Sequence, residues 1–249
     1  MDLGLEGKVA LVTGGSRGIG AAICLELGRL GCDVALTCQG RLDAAEDVAA
    51  KIESMGRRAF ATKADVSSFD GAQQTVDAVV EKLGGLHILV CNAGITWDGV
   101  IWKMSEKQWD AVIGVNLKGY FNYNKAAGMV FKDQKYGKIV NISSINGLRG
   151  KFGQANYAAS KGGEVALSKT LAKELGKFNV NVNVVAPGLV LTDMMQDLAP
   201  EFKNKALEET VVGRFALPAD VAHLVTFLCS DRSRHITGEV IKIDGGQYI

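Results

Sequence analysis

Residues 8–20 read Lys8-Val9-Ala10-Leu11-Val12-Thr13-Gly14-Gly15-Ser16-Arg17-Gly18-Ile19-Gly20, an apolar run that breaks into glycines and then enters a helical pattern. The run is apolar at successive positions, which suits a strand buried on both faces rather than one. Glycines at 14, 18 and 20 let the chain turn sharply and let a phosphate approach the helix N-terminus, where free N–H groups and the dipole favour an anion. The spacing is not GxGxxG, and a glycine-rich turn could simply join strand to helix. The strand before it and the helix after it favour a phosphate site at Gly14, Ser16, Arg17, Gly18, Ile19 and Gly20.

Outward from this stretch the chain keeps alternating between two periods. Strand-like runs fall at 8–14, 33–38, 58–66, 87–94, 137–144, 181–188 and 239–244, and amphipathic stretches at 18–30, 43–55, 69–83, 106–131, 157–177 and 218–229. Apolar strands separated by helices predict a doubly wound α/β fold with a parallel sheet and helices on both faces. No linker or low-complexity stretch divides residues 1–249, so a single domain is expected. Residues 189–217 interrupt the alternation after a strand, where a long insertion suits a substrate cover.

Bulk properties narrow the function classes. The chain is 47% hydrophobic and 22% charged with a formal net charge of +1, so it can bury a large core and offers no basic stripe for nucleic acid or anionic membrane. No apolar run reaches the ~18 residues of a membrane span. The opening MDLGLEGKVALVTGG lacks the pattern of a signal peptide, and a cytoplasmic protein is expected. The five scattered cysteines form no CxxC pair and the histidines number three, so reduced core thiols are expected, with no disulfide and no metal.

In this type of fold an acid closing the second strand binds the adenosine ribose 2′-hydroxyl. Here that strand ends Leu36-Thr37-Cys38-Gln39-Gly40-Arg41, and the next acid is Asp43, inside the following helix. The missing carboxylate near Cys38 removes a repulsion, and Arg17 and Arg41 could pair with a 2′-phosphate. Both could also be solvated surface. NADP(H) is expected over NAD(H).

A second short stretch, Asn156-Tyr157-Ala158-Ala159-Ser160-Lys161, sets Tyr157 and Lys161 one turn apart on one face of a helix. Taken with the glycine turn, Asn92-Ala93-Gly94 and Pro187-Gly188, it makes the chain resemble the short-chain dehydrogenase/reductase family from about residue 6 to its end. The resemblance implies a seven-stranded Rossmann-type sheet, a nicotinamide cofactor and the catalytic set Asn116, Ser144, Tyr157 and Lys161. Tyr157 would act as the acid, its pKa of ~10 lowered by the nearby ammonium. Ser144 would polarise the substrate oxygen, and Asn116 would support a water relay to Lys161. The lysine would also hold the nicotinamide ribose. Ser143 and Ser144 could instead be strand-end caps, with roles interchanged by one residue. The resemblance gives Asp65 and Val66 to the adenine, Asn92, Ala93 and Gly94 to the adenosine side, and Pro187, Gly188, Val190 and Thr192 to the nicotinamide end. Relatives are usually homotetramers.

Within the family, NAGITWDG, QWDAVIGVNLKGYFN and SSINGLRGKFGQANYAASK resemble the 3-oxoacyl-thioester reductases, which act on acyl-carrier-protein or CoA substrates such as acetoacetyl-CoA. The expected reaction is NADPH-dependent reduction of a 3-oxoacyl thioester. The alternative is a dehydrogenase or reductase of free secondary alcohols and cyclic ketones; a non-enzymatic dinucleotide-binding protein would not need the intact Tyr157 and Lys161. Two departures bear on the substrate. Trp97 stands where these relatives commonly carry arginine, and Phe178 replaces an expected base beside Lys177, leaving Lys135 as a basic candidate for attracting an acyl carrier protein. Trp97, Trp102, Met194, Met195 and Phe202 could line an apolar substrate wall or belong to the core or an interface.

Overall fold

In the computed structural model, which describes residues 3–192 and 200–249, each strand–helix alternation becomes a parallel crossover. Strands β1 (Val9–Val12), β2 (Asp33–Cys38), β3 (Ala59–Lys63), β4 (Ile88–Cys91), β5 (Gly137–Ile142), β6 (Val180–Pro187) and β7 (Val240–Ile243) form one sheet in the order β3-β2-β1-β4-β5-β6-β7. Every neighbouring pair is parallel. The described residues thus make a single α/β domain with a seven-stranded sheet.

Helices α1 (Gly18–Arg29), α2 (Leu42–Ser54) and α3 (Phe69–Leu83) follow the first three strands. After β4 come α4 (Glu106–Ile113), a π-helical turn (Gly114–Lys118) and α5 (Gly119–Gln134). Then come α6 (Ile145–Arg149) after β5, α7 (Ala155–Leu175) before β6, and α8 (Pro200–Glu208) and α9 (Pro218–Cys229) before β7. The sequence reads 106–131 as one helix; the structure divides it at Gly114. It also shows α6, too short to carry a periodic signal.

Burial explains the apolar strands. Ala10 and Val12 face a core with Ile23 and Leu27 of α1, Ile52 of α2 and Val221 and Val225 of α9. Val9 and Leu11 face the opposite core with Val76 and Val79 of α3 and Tyr120, Tyr123 and Phe131 of α5. Each fully buried side chain of this kind contributes about 1.5–3 kcal/mol relative to exposure. All five cysteines are buried and unpaired. Among the described residues, no helix is long and apolar enough to cross a membrane, and no cluster could hold a metal ion.

The strand order reverses between β1 and β4, which opens a crevice at their carboxyl ends. Thr13 fastens that end: its Oγ1 accepts from the backbone N–H of Asn92 at 3.0 Å and of Ala93 at 3.1 Å. The Asn92 amide donates back to the carbonyls of Thr13 and Gly14, each at 3.0 Å. The same end of β5 carries Ser143 and Ser144.

Candidate active site

The glycine turn owes its shape to backbone conformations closed to other residues. Gly14 has φ +67° and Gly18 φ +56°. Gly20 is bare because a Cβ there would meet the Gly14 carbonyl oxygen at 2.2 Å. Arg17 stands at the N-cap of α1 in extended conformation and no side chain caps the helix, so the first-turn N–H groups stay available for an anion. Ser16 and Ile19 are half-buried beside it. Thr192 lies over the turn, 3.4 Å from where a Gly18 Cβ would sit. One end of the crevice thus brings the glycine turn to a residue assigned to the nicotinamide end.

At the end of β2, Cys38 is buried and burial pushes its thiol pKa up, whereas Arg17 and Arg41 are exposed. Neither arginine forms an ion pair among the described residues. Asp65 accepts from the Ser67 N–H at 2.9 Å and from its hydroxyl at 2.7 Å, while Ser68 caps α3, so the acid shapes the turn and leaves capping to the serine. Val66 is buried, and its carbonyl accepts from Asn122 at 2.9 Å. Asn92 turns its side chain to the glycine loop, as described above. Pro187 is buried at the end of β6, the Gly188 N–H donates to the Ile243 carbonyl at 3.1 Å, and Val190 is bridged to Ala216.

The second cluster hangs on α7. Lys161 is buried, and its ammonium donates to the Ile142 carbonyl at 2.8 Å, to Glu164 Oε1 at 2.8 Å and to the Tyr120 hydroxyl at 3.4 Å. These bonds take up its three N–H donors. The Tyr157 ring centroid lies 5.8 Å from the same Nζ. Burial pushes the Tyr157 pKa above its ordinary value; the Lys161 ammonium and a hydrogen bond with Ser144 pull it down, while Glu164 and Asp98 push it up. The net upward direction reverses the lowering expected from Lys161 alone, because the phenol is desolvated and a carboxyl stands beside the ammonium.

The two serines separate cleanly. Ser144 caps α6 by accepting from the Asn146 N–H at 3.2 Å, and it stands close enough to Tyr157 to pull that phenol's pKa down. Ser143 is turned the other way, donating to the Lys161 carbonyl at 2.8 Å. Asn116 sits in the π-helical turn, fully buried, with Oδ1 accepting from the Ile95 N–H at 2.9 Å and Nδ2 donating to the Ile95 carbonyl at 3.0 Å and to Ser160 Oγ at 3.2 Å. Gly94 stands between Asn116 and Lys161: a Cβ there would lie 3.4 Å from Asn116 Oδ1 and 3.7 Å from Lys161 Nζ. Its bare backbone keeps that space open. Open backbone here, an uncapped α1 terminus and exposed arginines near β2 fit an elongated dinucleotide.

A chain of polar bonds frames the tyrosine. Asn146 donates to Gln154 at 3.1 Å, Gln154 donates to Asp98 at 2.9 Å, and Asn156 donates to the Trp97 carbonyl at 3.0 Å. Trp97 and Trp102 are exposed beside this frame, which suits a wall better than a core. Met194, Met195 and the Phe202 side chain lie outside the described residues. Lys135 caps α5 just before β5, and Phe178 packs on the core just before β6. Both therefore lie at the opposite end of the sheet from Ser144 of the same chain, not at its mouth.

Sequence reading missed Glu164. Its signal was a charged residue at i+3 from Lys161, on a helix face that packs inward. It also missed Tyr120, whose hydroxyl donates to the Ile142 carbonyl at 2.9 Å.

Comparison with known proteins identifies the family. Residues 8–203 match the family model for short chain dehydrogenases. The chain is 42% identical to 3-oxoacyl-acyl-carrier-protein reductase FabG of Staphylococcus epidermidis, over 97% of this chain and 99% of the relative. It is 41% identical to the protein of the same name from Thermotoga maritima, over 98% of this chain and 99% of that one. A crystal structure from Sinorhizobium meliloti, provisionally designated a short-chain alcohol dehydrogenase, superposes with a TM-score of 0.92 at 36% identity, covering 97% and 96% of the two chains. The chain belongs to the short-chain dehydrogenase/reductase family, whose members are nicotinamide-dependent oxidoreductases acting on an alcohol or its carbonyl.

Proposed function

We propose that the protein reduces a 3-oxoacyl thioester, carried by CoA or an acyl carrier protein, to the 3-hydroxyacyl thioester with NADPH. The observation that carries this reading is full-length similarity to 3-oxoacyl-acyl-carrier-protein reductases, joined to the Ser144–Tyr157–Lys161 cluster at the carboxyl end of β5. When bound, the reduced nicotinamide supplies the hydride. The chain's own residues do the rest. Ser144 donates to the substrate carbonyl oxygen and polarises it. Tyr157 gives its phenolic proton to the same oxygen as negative charge develops there. Lys161 holds positive charge behind the phenol, and Asn116, bonded to Ile95 and Ser160, would support a water relay to Lys161.

For the cofactor, Gly14, Ser16, Gly18, Ile19 and Gly20 present the pyrophosphate cradle, and Asp65 and Val66 flank the adenine. Asn92, Ala93 and Gly94 border the adenosine side. Pro187, Gly188, Val190 and Thr192 border the nicotinamide. Arg17 and Arg41, with no acid closing β2, would take a 2′-phosphate. Residues 189–217 would cover the substrate. Their return is fastened near the site, since Arg149 of α6 pairs with Glu209 at 3.2 Å. A homotetramer is expected.

A second reading, reduction of a free ketone, draws on the Sinorhizobium likeness and on the exposed Trp97 and Trp102. Absorbance of NADPH and of NADH with acetoacetyl-CoA tests both. Fast NADPH oxidation with slow NADH oxidation supports the thioester reading. NADH preference overturns the cofactor assignment, and turnover confined to cyclic ketones favours the second reading.

A further inference from the structure

We propose that Glu164 is a positioning residue for the Lys161 ammonium, and that its charge counteracts the pull of that ammonium on the Tyr157 hydroxyl. The inference rests on the reading of Tyr157 as proton donor.

Geometry carries it. Glu164 is fully buried, with Oε1 bound to Lys161 Nζ at 2.8 Å and Oε2 without a partner among the described residues. The ammonium is also held by the Ile142 carbonyl at 2.8 Å and the Tyr120 hydroxyl at 3.4 Å, so its donors point inward. An apolar side chain would fill the Glu164 position without desolvating a charge, and packing alone gives no reason for a carboxyl there. What the carboxyl adds is a hold on Lys161 and, once it ionises, a negative charge behind the reacting tyrosine.

The surroundings leave few rivals. Tyr120 of α5 and Cys91 of β4 face the pair, and burial pushes both pKa values well up, which keeps both groups neutral. Tyr157 faces it from the first turn of α7, and Asp98, from the loop after β4, bears on Tyr157. Burial holds the Glu164 carboxyl up to about 8. Its charge is therefore present on the alkaline side, where a tyrosine loses its proton. There it opposes phenolate formation and keeps Tyr157 an acid. The site is biased towards delivering a proton to a carbonyl rather than removing one from an alcohol.

The test is a pH titration of phenolate ultraviolet absorbance in the full chain, for the wild type and for Glu164→Gln. Each is measured against its Tyr157→Phe counterpart, so that the difference reports Tyr157 alone. The pH dependence of kcat/KM for carbonyl reduction runs in parallel. Removing the charge is expected to lower the Tyr157 midpoint, and with it the alkaline limb of the rate profile, by about one pH unit. Glu164→Leu is expected to do the same and serves if the glutamine variant does not fold. An unmoved or raised midpoint overturns the inference, since a role confined to packing would leave it in place. If the midpoint falls but the wild type reduces no carbonyl compound, the role of Glu164 stands and the proposed function fails. If the wild type reduces the thioester and the midpoint stays, the reverse holds.

Discussion

The hydroxyl of Ser143 donates to the backbone carbonyl of Lys161 at 2.8 Å, fixing the end of β5 to the second turn of α7. One residue further, Ser144 stands close enough to Tyr157 to pull its pKa down, so the Ser143 contact aligns the two chain segments that would hold the reacting groups. Ser143→Ala removes a buried hydrogen bond and is expected to cost about 1 kcal/mol of stability. Its larger effect is expected on kcat, with KM little changed. Denaturant unfolding and steady-state kinetics on one preparation separate the two.

Tyr157→Phe keeps the ring and deletes the acidic proton. The loss expected in kcat/KM is about 10²- to 10⁴-fold, the usual share of a general acid. Dinucleotide affinity, measured by titration calorimetry, should be unchanged. Loss of cofactor binding as well would make the hydroxyl structural.

Gly147→Ala probes the seam between α6 and α7. A Cβ at 147 would stand 2.6 Å from the Lys161 carbonyl carbon and 2.6 Å from its Cβ, so the helices must part. Overpacking of this kind costs about 1–3 kcal/mol. Because Ser144 opens α6, kcat should fall while dinucleotide affinity holds. Unchanged turnover would show that the seam yields without moving Ser144.

Arg17→Ala and Arg41→Ala address the cofactor. Loss of a charge-assisted contact to a 2′-phosphate corresponds to roughly a tenfold or greater rise in the KM for NADPH. The KM for NADH should not move. Equal rises for both would mean that the arginines serve the pyrophosphate or the fold.

Glu164 also links stability to pH. Its carboxyl pKa is raised from an ordinary value of 4.5 to about 8, so the folded protein holds this proton more tightly than the unfolded chain does. The resulting stability is complete below the unfolded value and is lost as pH rises through the folded one. Between these limits the wild type should lose more stability with rising pH than Glu164→Gln does. Thermal unfolding across that range would reveal a parallel course if the carboxyl were already ionised throughout.

Strand-and-helix alternation was legible because β1, β4, β5 and β6 are buried along their whole length and are mostly apolar, with Lys138, Asn141, Asn181 and Asn183 as the polar interruptions in β5 and β6. The glycine turn and the Tyr157–Lys161 pair were legible because their chemistry fixes both residue type and spacing. Glu164 was not, since a carboxyl on a helix reads as solvated until the opposite wall is known. Lys135 and Phe178 were named by resemblance alone, and a residue type carries no sign of which end of a strand it occupies; both precede their strands, whereas Ser144 follows one. The role of Ser143 depended on the direction of one side chain, which no pattern encodes.

The π-helical turn at Gly114–Lys118 carries one residue more than an α-helical ladder of the same rise. Deleting a single residue there would let α4 and α5 run on as one continuous rod, but would rotate everything before the deletion by about 100° about the axis. Ser105 and Gln108, which close a reciprocal cap on α4, would swing away from the Asn156 amide that donates to the Gln108 carbonyl at 3.1 Å. The turn acts as a phase shifter. It allows one long element to present a packing face to the sheet at one end and a polar face to the helix that carries Tyr157 at the other, and insertions or deletions elsewhere in 106–134 would be tolerated only in pairs that restore that phase.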